Sequence, residues 1–280
     1  MISDVLTSAD WNDVWKELRA RRTIVQKSAS GWDKRSSTSK PVIRDDRYVQ
    51  DFLGIMKPQP DWTVLDMGCG PGILALPLSR LVRRITAADF AQGVLDTLAE
   101  ECKTRNISNI TINNLAWEDD WLAAGIERHD VVIASRSLVP EDLREAIAKI
   151  DATARKKVLI ATIVGDGPFD RRVFEAVGRP LYAGPDYICN YNLLHQMGIL
   201  ASVNFITQDP RRFESRADAF ESMGWMLDSM TDSEKGRLER FVDAHLVNHG
   251  DCWMTDYDFR PIWAILWWKK TLEGGWNRPW

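Results

Sequence analysis

The sequence contains no apolar run of the roughly 18 residues that a membrane-spanning helix needs, although hydrophobic residues make up 45% of its 280 positions. The opening segment of the chain is charged and has no apolar centre, so we expect no signal peptide. Cysteine is scarce, and its four copies form neither a Cys-x-x-Cys pair nor a Cys/His cluster with zinc-like spacing. They are Cys69, Cys102, Cys189 and Cys252. These absences predict a cytoplasmic protein with reduced thiols, no metal site and no membrane partner.

An excess of positive charge is also missing. The 36 lysines and arginines face 40 aspartates and glutamates, which gives a net charge of −4 and no general attraction for polyanions. The basic groups along the chain are short and typical of solvated surface. They lie at 19–22, 83–84, 156–157 and 211–212. We therefore expect a small-molecule partner rather than a nucleic acid.

Short apolar runs alternate with helical stripes through the middle of the chain. The runs predict strands at 63–67, 84–89, 110–115, 131–135 and 157–164. The stripes predict helices at 72–82, 93–104 and 141–150. Pro77 indicates that the first of these helices begins nearer Leu74 than Gly72, because a proline is tolerated only in the first turn. The alternation predicts an α/β fold with a doubly wound, mostly parallel sheet and right-handed crossovers.

The amino-terminal part of the chain departs from this alternation. An amphipathic helix is predicted at 8–22 and another helix at 45–56. Between them, residues 28–41 are polar and irregular, which is typical of a linker or hinge. We predict a helical extension or lid over residues 1–44, followed by one domain over residues 45–280.

The alternation also loosens beyond residue 165. Helices are predicted at 170–177, 186–197 and 231–247, and strands at 201–207 and 262–269. The last of these helices begins at a capping box that runs from Thr231 to Glu234. The carboxyl end is rich in aromatic residues, and Trp276 and Trp280 make it a candidate contact in an oligomer.

One predicted strand ends in a run of glycines. The stretch VLDMGCGPG, residues 64–72, places an aspartate at the strand end and three glycines after it. Glycines allow the backbone N–H groups at a helix start to approach a ligand closely. A P-loop would need Gly-Lys-Ser/Thr, where this chain has Pro71-Gly72-Ile73. A dinucleotide fingerprint would need a glycine in place of Ile73, which leaves the pattern Asp-x-Gly-x-Gly-x-Gly.

The aspartate indicates the charge of the ligand. Asp66 would repel a pyrophosphate in this loop and would attract a cation. The stretch resembles motif I of the class I S-adenosylmethionine-dependent methyltransferases, whose cofactor carries an α-ammonium and a sulfonium and has no phosphate. The resemblance implies that this motif binds S-adenosylmethionine. The implied residues are Asp66, Gly68, Cys69, Gly70 and Gly72.

A second carboxylate lies at the offset that the resemblance requires. Asp89 ends the next predicted strand, 17 residues after Gly72, where it could accept hydrogen bonds from two ribose hydroxyls. The stretch ITAADFAQGVLD, residues 85–96, is similar to the family's second motif and places Phe90 beside the adenine. The alternative role for Asp89 is to cap the helix that follows it.

The loop after the third strand is similar to the family's adenine-covering loop. In the stretch NNLAWEDDW, the resemblance implies that the Ala116 N–H contacts the adenine and that the Trp117 ring stacks on it. Glu118 or Asp119 would receive the adenine amino group. Leu115 departs from the family, which often has an aspartate there. The alternative for Trp117 is simple packing.

The loop after the fourth strand is similar to motif IV. The stretch DVVIASRSLVP, residues 130–140, places Ser135, Arg136 and Ser137 near the methyl group, with Ser135 and Arg136 towards both the cofactor and the acceptor. Ligands of open α/β sheets bind at the carboxyl ends of strands. The stretch lacks the Asn/Asp-Pro-Pro-Tyr/Phe pattern of enzymes that methylate amino groups of bases or glutamine, so that substrate class is not expected.

The resemblance implies a seven-stranded sheet whose last strand is antiparallel. The predicted strands at 201–207 and 262–269 suit the two final places, and the gap between them predicts a helical insertion at about 213–249. Trp263, Trp267 and Trp268 lie in the last strand, where we expect them to pack on the sheet rather than bind a ligand.

The resemblance further implies methyl transfer by in-line displacement. The sequence identifies no catalytic residue. Candidate acceptor contacts are Trp32, Tyr187, Tyr191 and His195. The last three share one helical face, and a packing role is the alternative for His195. Two other functions stay open, an RNA or protein methyltransferase and a non-catalytic S-adenosylmethionine-binding regulator. A nicotinamide oxidoreductase is a more distant alternative.

Overall fold

A seven-stranded sheet forms the centre of the molecule. The computed structural model describes residues 9–24, 28, 31, 47–225 and 227–270. The described residues form nine strands, of which β7 and β8 make a separate two-stranded sheet. The strands are β1 Thr63–Met67, β2 Arg84–Asp89, β3 Ile110–Asn114, β4 His129–Ser135, β5 Ala154–Ile163, β6 Ser202–Thr207, β7 Leu246–Asn248, β8 Trp253–Thr255 and β9 Ile262–Lys269. The strands of the large sheet follow the order β3-β2-β1-β4-β5-β9-β6.

The direction of the strands confirms the predicted doubly wound, mostly parallel sheet. β1 to β5 run parallel, whereas β9 is antiparallel to both of its neighbours, β5 and β6. After β1 the chain builds β2 and β3 outward on one side, and then returns to place β4 on the other side of β1. Such a reversal opens a crevice at the carboxyl ends of the two central strands, which is where ligands of this architecture bind.

Helices cover both faces of the sheet. They are α1 Trp11–Ala20, α2 Arg47–Met56, α3 Ala75–Leu78, α4 Gln92–Thr104, α5 Leu143–Thr153, α6 Arg171–Val177, α7 Tyr187–Gln196, α8 Arg216–Gly224 and α9 Asp232–His245. One core contains apolar residues of α2, α3 and α4, and another contains residues of α1, α5 and α7. Because both faces are covered, every residue of β1 is buried. Among the described residues, no helix is long and apolar enough to cross a membrane.

The helix after the glycines is shorter than its apolar stripe predicts. The predicted start at Gly72 is wrong, because α3 begins at Ala75 with Leu74 at its N-cap. Pro77 is therefore the third residue of the helix, where a missing N–H breaks no bond within the helix. The local rule for proline located this boundary better than the apolar periodicity did.

The predicted insertion before the last strand is present, and it also contains a hairpin. α8 and α9 lie between β6 and β9, and the capping box joins Thr231 and Glu234 as predicted. Arg179 donates to both carboxylate oxygens of Glu234, which ties α9 to the segment after α6. The predicted extension of this helix to residue 247 is wrong. It ends at His245, and the next three residues form β7, which pairs with β8.

The amino-terminal helix α1 packs against α5 and α7. Trp15 is buried, and its Nε1 donates to the carbonyl oxygen of Pro140 at 3.2 Å. Asn12 donates through Nδ2 to Asp142, which is the N-cap of α5. These contacts attach α1 beside the turn that follows β4. The proposed lid role of residues 1–44 stays a prediction, because most of the segment after α1 lies outside the described residues.

Lys157 stabilises the carboxyl end of α2. Its Nζ donates to the carbonyl oxygens of Ile55 at 2.8 Å and Met56 at 3.2 Å. The last carbonyls of a helix have no donor partner within the helix, and a cation also suits the negative end of the helix dipole. Burial, with a smaller effect of neighbouring Lys269, lowers the pKa of Lys157 to about 8.

We expect Lys157→Met to lower the free energy of unfolding by about 1–3 kcal/mol, because it leaves two buried carbonyls without their donor. Urea denaturation followed by circular dichroism measures this change. Lys269→Met is the matched control, since Lys269 pairs with Lys157 in the β5–β9 register but is exposed. Its effect should stay within about 0.5 kcal/mol. Equal losses in the two variants would contradict the capping role.

Candidate functional site

The glycine loop leaves the end of β1 and bends back against β2. The backbone N–H groups of Gly68 and Cys69 both donate to the carbonyl oxygen of Ala88, at 2.7 and 3.0 Å. Gly68, Gly70 and Gly72 have φ angles of 71°, 53° and 92°, a region that side chains disfavour. Alternate glycines therefore allow a tight turn at the carboxyl ends of the central strands.

Two of these glycines have different surroundings. A Cβ atom at Gly68 would lie 2.2 Å from the Cβ of Ser137, which no side chain tolerates. A Cβ at Gly70 would have no protein atom within 4 Å. Gly68 is thus required by the packing of the loop, whereas Gly70 borders open space at the crevice.

Asp89 joins the glycine loop to the end of β2. Its Oδ2 accepts from the Gly70 N–H at 2.9 Å, and its Oδ1 accepts from the Ala91 N–H at 3.0 Å. Ala91 is the N-cap of α4, so Asp89 is not the capping residue that the alternative predicted; it binds the N–H of that residue instead. An ionised carboxylate offers about four acceptor positions, which leaves Asp89 with capacity for further donors.

Asp66 is the second carboxylate of the crevice. It is 2% exposed, and burial together with repulsion from Asp89 raises its pKa to about 7. Two neighbouring carboxylates are costly to ionise together. A ligand that brings positive charge to this loop would remove that cost.

The Cys69 side chain does not face the crevice. It is 6% exposed and packs in the core formed with α2, α3 and α4, and burial raises its thiol pKa. The backbone of Cys69 belongs to the loop, and its sulfur does not. Gly72 is also closely packed, since a Cβ there would lie 2.5 Å from Leu98.

The turn after β4 is held by three separate hydrogen bonds. The Ser135 hydroxyl lies 2.6 Å from the hydroxyl of Tyr48 in α2. The Arg136 N–H donates to the carbonyl of Ala161 in β5 at 2.9 Å. The Ser137 hydroxyl donates to the carbonyl of Met67, at the end of β1, at 2.6 Å. The turn is therefore fixed against three different elements beside the glycine loop.

The loop after β3 is ordered by its own side chains. The Ala116 N–H donates to Asp119 Oδ2 at 2.7 Å, so an adenine at this N–H would have to share or displace that carboxylate. Trp117 is 8% exposed, packs on Trp121 and donates through Nε1 to the carbonyl of Ser137. Phe90, in contrast, is 41% exposed beside Asp89. Its ring is the more accessible aromatic surface in this crevice.

The candidate acceptor residues are not all brought together. Trp32 lies outside the described residues. Tyr187 begins α7, and its ring meets that of Phe205 edge-on, with centroids 5.4 Å apart. Tyr191 and His195 are exposed along the same helix. His195 is roughly 12 Å along the helix axis from Tyr187, so the three side chains do not converge on one point.

Two residues of the site, Tyr48 and Asn114, are not predicted from the sequence. Tyr48 has only the signature of a core residue on a helix, and nothing local links it to Ser135. Ser137 lies in the turn where the sequence places it, and its bond to Met67, which supports the glycine loop, is the added finding. Asn114 donates to the carbonyls of Asp89 and Phe90 and fixes the end of β2. A polar residue near the end of a predicted strand was the available signal for Asn114, although β3 is a partly exposed edge strand.

Comparisons with known proteins agree with this geometry. A family model described as a methyltransferase domain matches residues 64–157, which include the glycine loop and the turn after β4. An uncharacterized protein of Haemophilus influenzae is 34% identical over 247 residues, covering 85% of this chain and 88% of its own length.

Solved structures share the fold at low sequence identity. A coclaurine N-methyltransferase bound to N-methylheliamine and S-adenosylhomocysteine (SAH) has a TM-score of 0.52 and 15% identity, over 93% of this chain and 87% of its own. A methyltransferase of Geobacter sulfurreducens in complex with SAH has a TM-score of 0.51 and 11% identity, over 83% and 94% of the two chains.

Proposed function

Because the chain belongs to the class I S-adenosylmethionine-dependent methyltransferases, we propose that it methylates a small-molecule acceptor. The observation that carries the proposal is the pair of carboxylates, Asp66 and Asp89, around a glycine loop that is open at Gly70. The negative net charge supports a small acceptor over a polyanion.

The residues present fit the cofactor. Asp66 is a buried carboxylate beside the glycine loop, which suits the ammonium end of the ligand. Asp89 already accepts from the Gly70 N–H and has the capacity to accept from ribose hydroxyls as well. Phe90 offers an exposed ring for the adenine, with the Ala116 N–H and Trp117 on the neighbouring loop. When bound, S-adenosylmethionine supplies a methyl group activated by its sulfonium.

The chain's own contribution is to hold the two reactants in line. The Gly68, Cys69 and Gly72 backbone shapes the cofactor side of the crevice, and the turn at Ser135 and Arg136 borders the acceptor side. Alignment of the reacting atoms lowers the barrier without any covalent step by the protein. A general base is needed only for an acceptor that is protonated at neutral pH, and we assign none.

Two experiments test this function. Calorimetry should detect binding of SAH and no binding of NAD, because the crevice carries carboxylates where a pyrophosphate would lie. Transfer of a labelled methyl group to a panel of small metabolites should then identify an acceptor. Tight NAD binding without SAH binding would overturn the proposal.

Two other functions keep the same cofactor site. An RNA methyltransferase would retain RNA in a manner that weakens steeply with salt, and a protein methyltransferase would label proteins in a cell extract. A non-catalytic regulator would bind SAH but transfer no methyl group to any acceptor. Each outcome replaces the small-molecule proposal and leaves the family assignment unchanged.

We expect SAH affinity to rise about tenfold between pH 6 and pH 8, because the ionised form of Asp66 attracts the ligand's α-ammonium. The Asp66 pKa is raised to about 7, first by burial and then by Asp89. Below pH 7 the ligand must displace a proton, so affinity increases as pH rises through 7 and levels off above it.

Calorimetry in buffers of different ionisation enthalpy should show proton release on binding at pH 6 and almost none at pH 8. Asp66→Asn, which cannot ionise, should bind more weakly at pH 8 and show a flat profile. A flat profile in the unaltered protein, or the same slope in both proteins, would assign the pH dependence to another group.

A further inference from the structure

The turn after β4 presents a partly exposed arginine that is held on aromatic rings. The guanidinium carbon of Arg136 lies 4.3 Å from the ring centroid of Tyr48 and 5.5 Å from that of Trp263. Both rings are almost fully buried. Across the described ranges, no Asp or Glu oxygen comes within ion-pair distance of this guanidinium. Its charge is therefore supported by ring faces and has no carboxylate neighbour there.

The backbone of Arg136 is built to hold this position. Its φ angle is 61°, a left-handed conformation that a residue other than glycine adopts only at a cost. The neighbours Ser135 and Ser137 are tied to α2 and β1, and the Arg136 N–H itself is tied to β5. Strained backbone that the surroundings over-determine is concentrated at binding and catalytic sites.

The guanidinium lies on the acceptor side of the crevice. Trp263 lies in β9, where it pairs with Ile163 of β5. In the sheet, β9 is two places from β4. Asp89 ends β2, which is two places away from β4 in the opposite direction. With strands about 4.8 Å apart, Arg136 leans away from the glycine loop and towards the β5–β9 side.

Charge balance defines what should bind there. Bound S-adenosylmethionine would bring a sulfonium into this crevice, and a second cation there would be unfavourable unless an anion accompanied it. A guanidinium offers a planar fork of N–H donors that matches the two oxygens of a carboxylate or a phosphate. The contacts with the two ring centroids use no N–H group of that fork in an ion pair with a described carboxylate, so the fork is available to an anion.

We propose that Arg136 binds an oxyanion, a carboxylate or a phosphate, of the methyl acceptor, so that the acceptor is an acid. The inference rests on the proposed methyltransferase function and names its substrate class. Binding of the acidic group by Arg136 would orient the acceptor at the carboxyl end of β4, beside the methyl group. The competing role is that Arg136 binds the carboxylate of the cofactor itself.

The test uses the complete chain saturated with SAH, titrated at constant ionic strength with benzoate, phenyl phosphate and uncharged benzamide. We expect one or both oxyanions to bind and benzamide not to bind. Arg136→Met should weaken oxyanion binding at least tenfold and should change SAH affinity less than twofold. Arg136→Lys keeps the charge but loses the planar fork of donors. Its oxyanion affinity should therefore lie between that of the unaltered protein and that of Arg136→Met. The probe that binds more tightly, benzoate or phenyl phosphate, indicates whether the acidic group of the acceptor is a carboxylate or a phosphate.

Three results would overturn the inference. They are an SAH complex that binds neither oxyanion, equal oxyanion affinity in the unaltered protein and Arg136→Met, and a large loss of SAH affinity in Arg136→Met. The last result would assign Arg136 to the cofactor carboxylate. Failure of the unaltered protein to bind SAH is distinguishable, because it would overturn the proposed function first. Thermal melting of both variants tests whether they are folded. If Arg136→Met does not fold, the oxyanion affinity of Arg136→Lys is compared with that of the unaltered protein instead.

Discussion

Gly70→Ala is expected to leave the protein folded and to abolish detectable SAH binding, whereas Gly68→Ala is expected to lower the free energy of unfolding by about 3–5 kcal/mol. Both glycines have positive φ angles, so both substitutions carry a similar conformational cost of about 1–2 kcal/mol. The difference comes from what the new methyl group would meet. At Gly68 it would overlap Ser137, and at Gly70 it would enter open space that we assign to the ligand.

The two effects are measured separately. Urea denaturation gives the free energy of unfolding, and calorimetry with SAH gives the affinity. The overlap at Gly68 is tested further by combining Gly68→Ala with Ser137→Gly, which removes the Cβ that the new methyl group would strike. The double variant should be more stable than the sum of the two single losses predicts. Normal SAH binding by Gly70→Ala would show that the ligand does not approach this part of the loop.

Asp89→Ala should weaken SAH binding by about 1–3 kcal/mol, which is roughly a 5- to 150-fold rise in Kd. The substitution removes the proposed acceptor of the ribose hydroxyls. It also removes the acceptor of the Gly70 and Ala91 N–H groups, so the loop loses its tie to β2. Asp89→Asn keeps one side-chain oxygen and should lose less affinity than Asp89→Ala.

Asp96→Ala is the matched control for charge. Asp96 is an exposed carboxylate on α4, where it accepts from Gln92, and its removal changes the net charge by the same amount. Its SAH affinity should stay within about twofold, since exposed charges at this distance are screened by salt. Unchanged affinity in Asp89→Ala would remove Asp89 from the cofactor site, and an equal loss in both variants would indicate a general charge effect.

The elements closest to the cofactor site were the most predictable. β1 and β2 have the bounds that the apolar runs predict, because buried parallel strands need continuous apolar residues. β9, which is three places from β1 in the sheet, also has its predicted bounds. The positions of Asp66 and Asp89 followed from where those strands end. Local sequence is informative here because a turn that lies close to a ligand has few alternatives to glycine.

The acceptor side could not be derived in the same way. The hydrogen bond between Tyr48 and Ser135 joins residues 87 positions apart, and no local pattern marks either as a partner. The β7–β8 hairpin was also missed, because three-residue strands carry almost no periodicity. Tyr187, Tyr191 and His195 share a helical face as expected, but the direction of the helix axis keeps them from lining one pocket.

Some features of this protein are determined by the sequence alone, and others only by the tertiary structure. Residue order alone was enough to establish the alternation of strands and helices, the glycine loop and the negative charge that favours a cationic nucleoside, because these depend on neighbours along the chain. Tertiary structure was needed to bring α2 and β9 over the end of β4, and so to place Arg136 on two buried rings. Contacts between distant elements depend on packing that is settled only when the whole core forms, and it is those contacts that shape the acceptor side of the crevice.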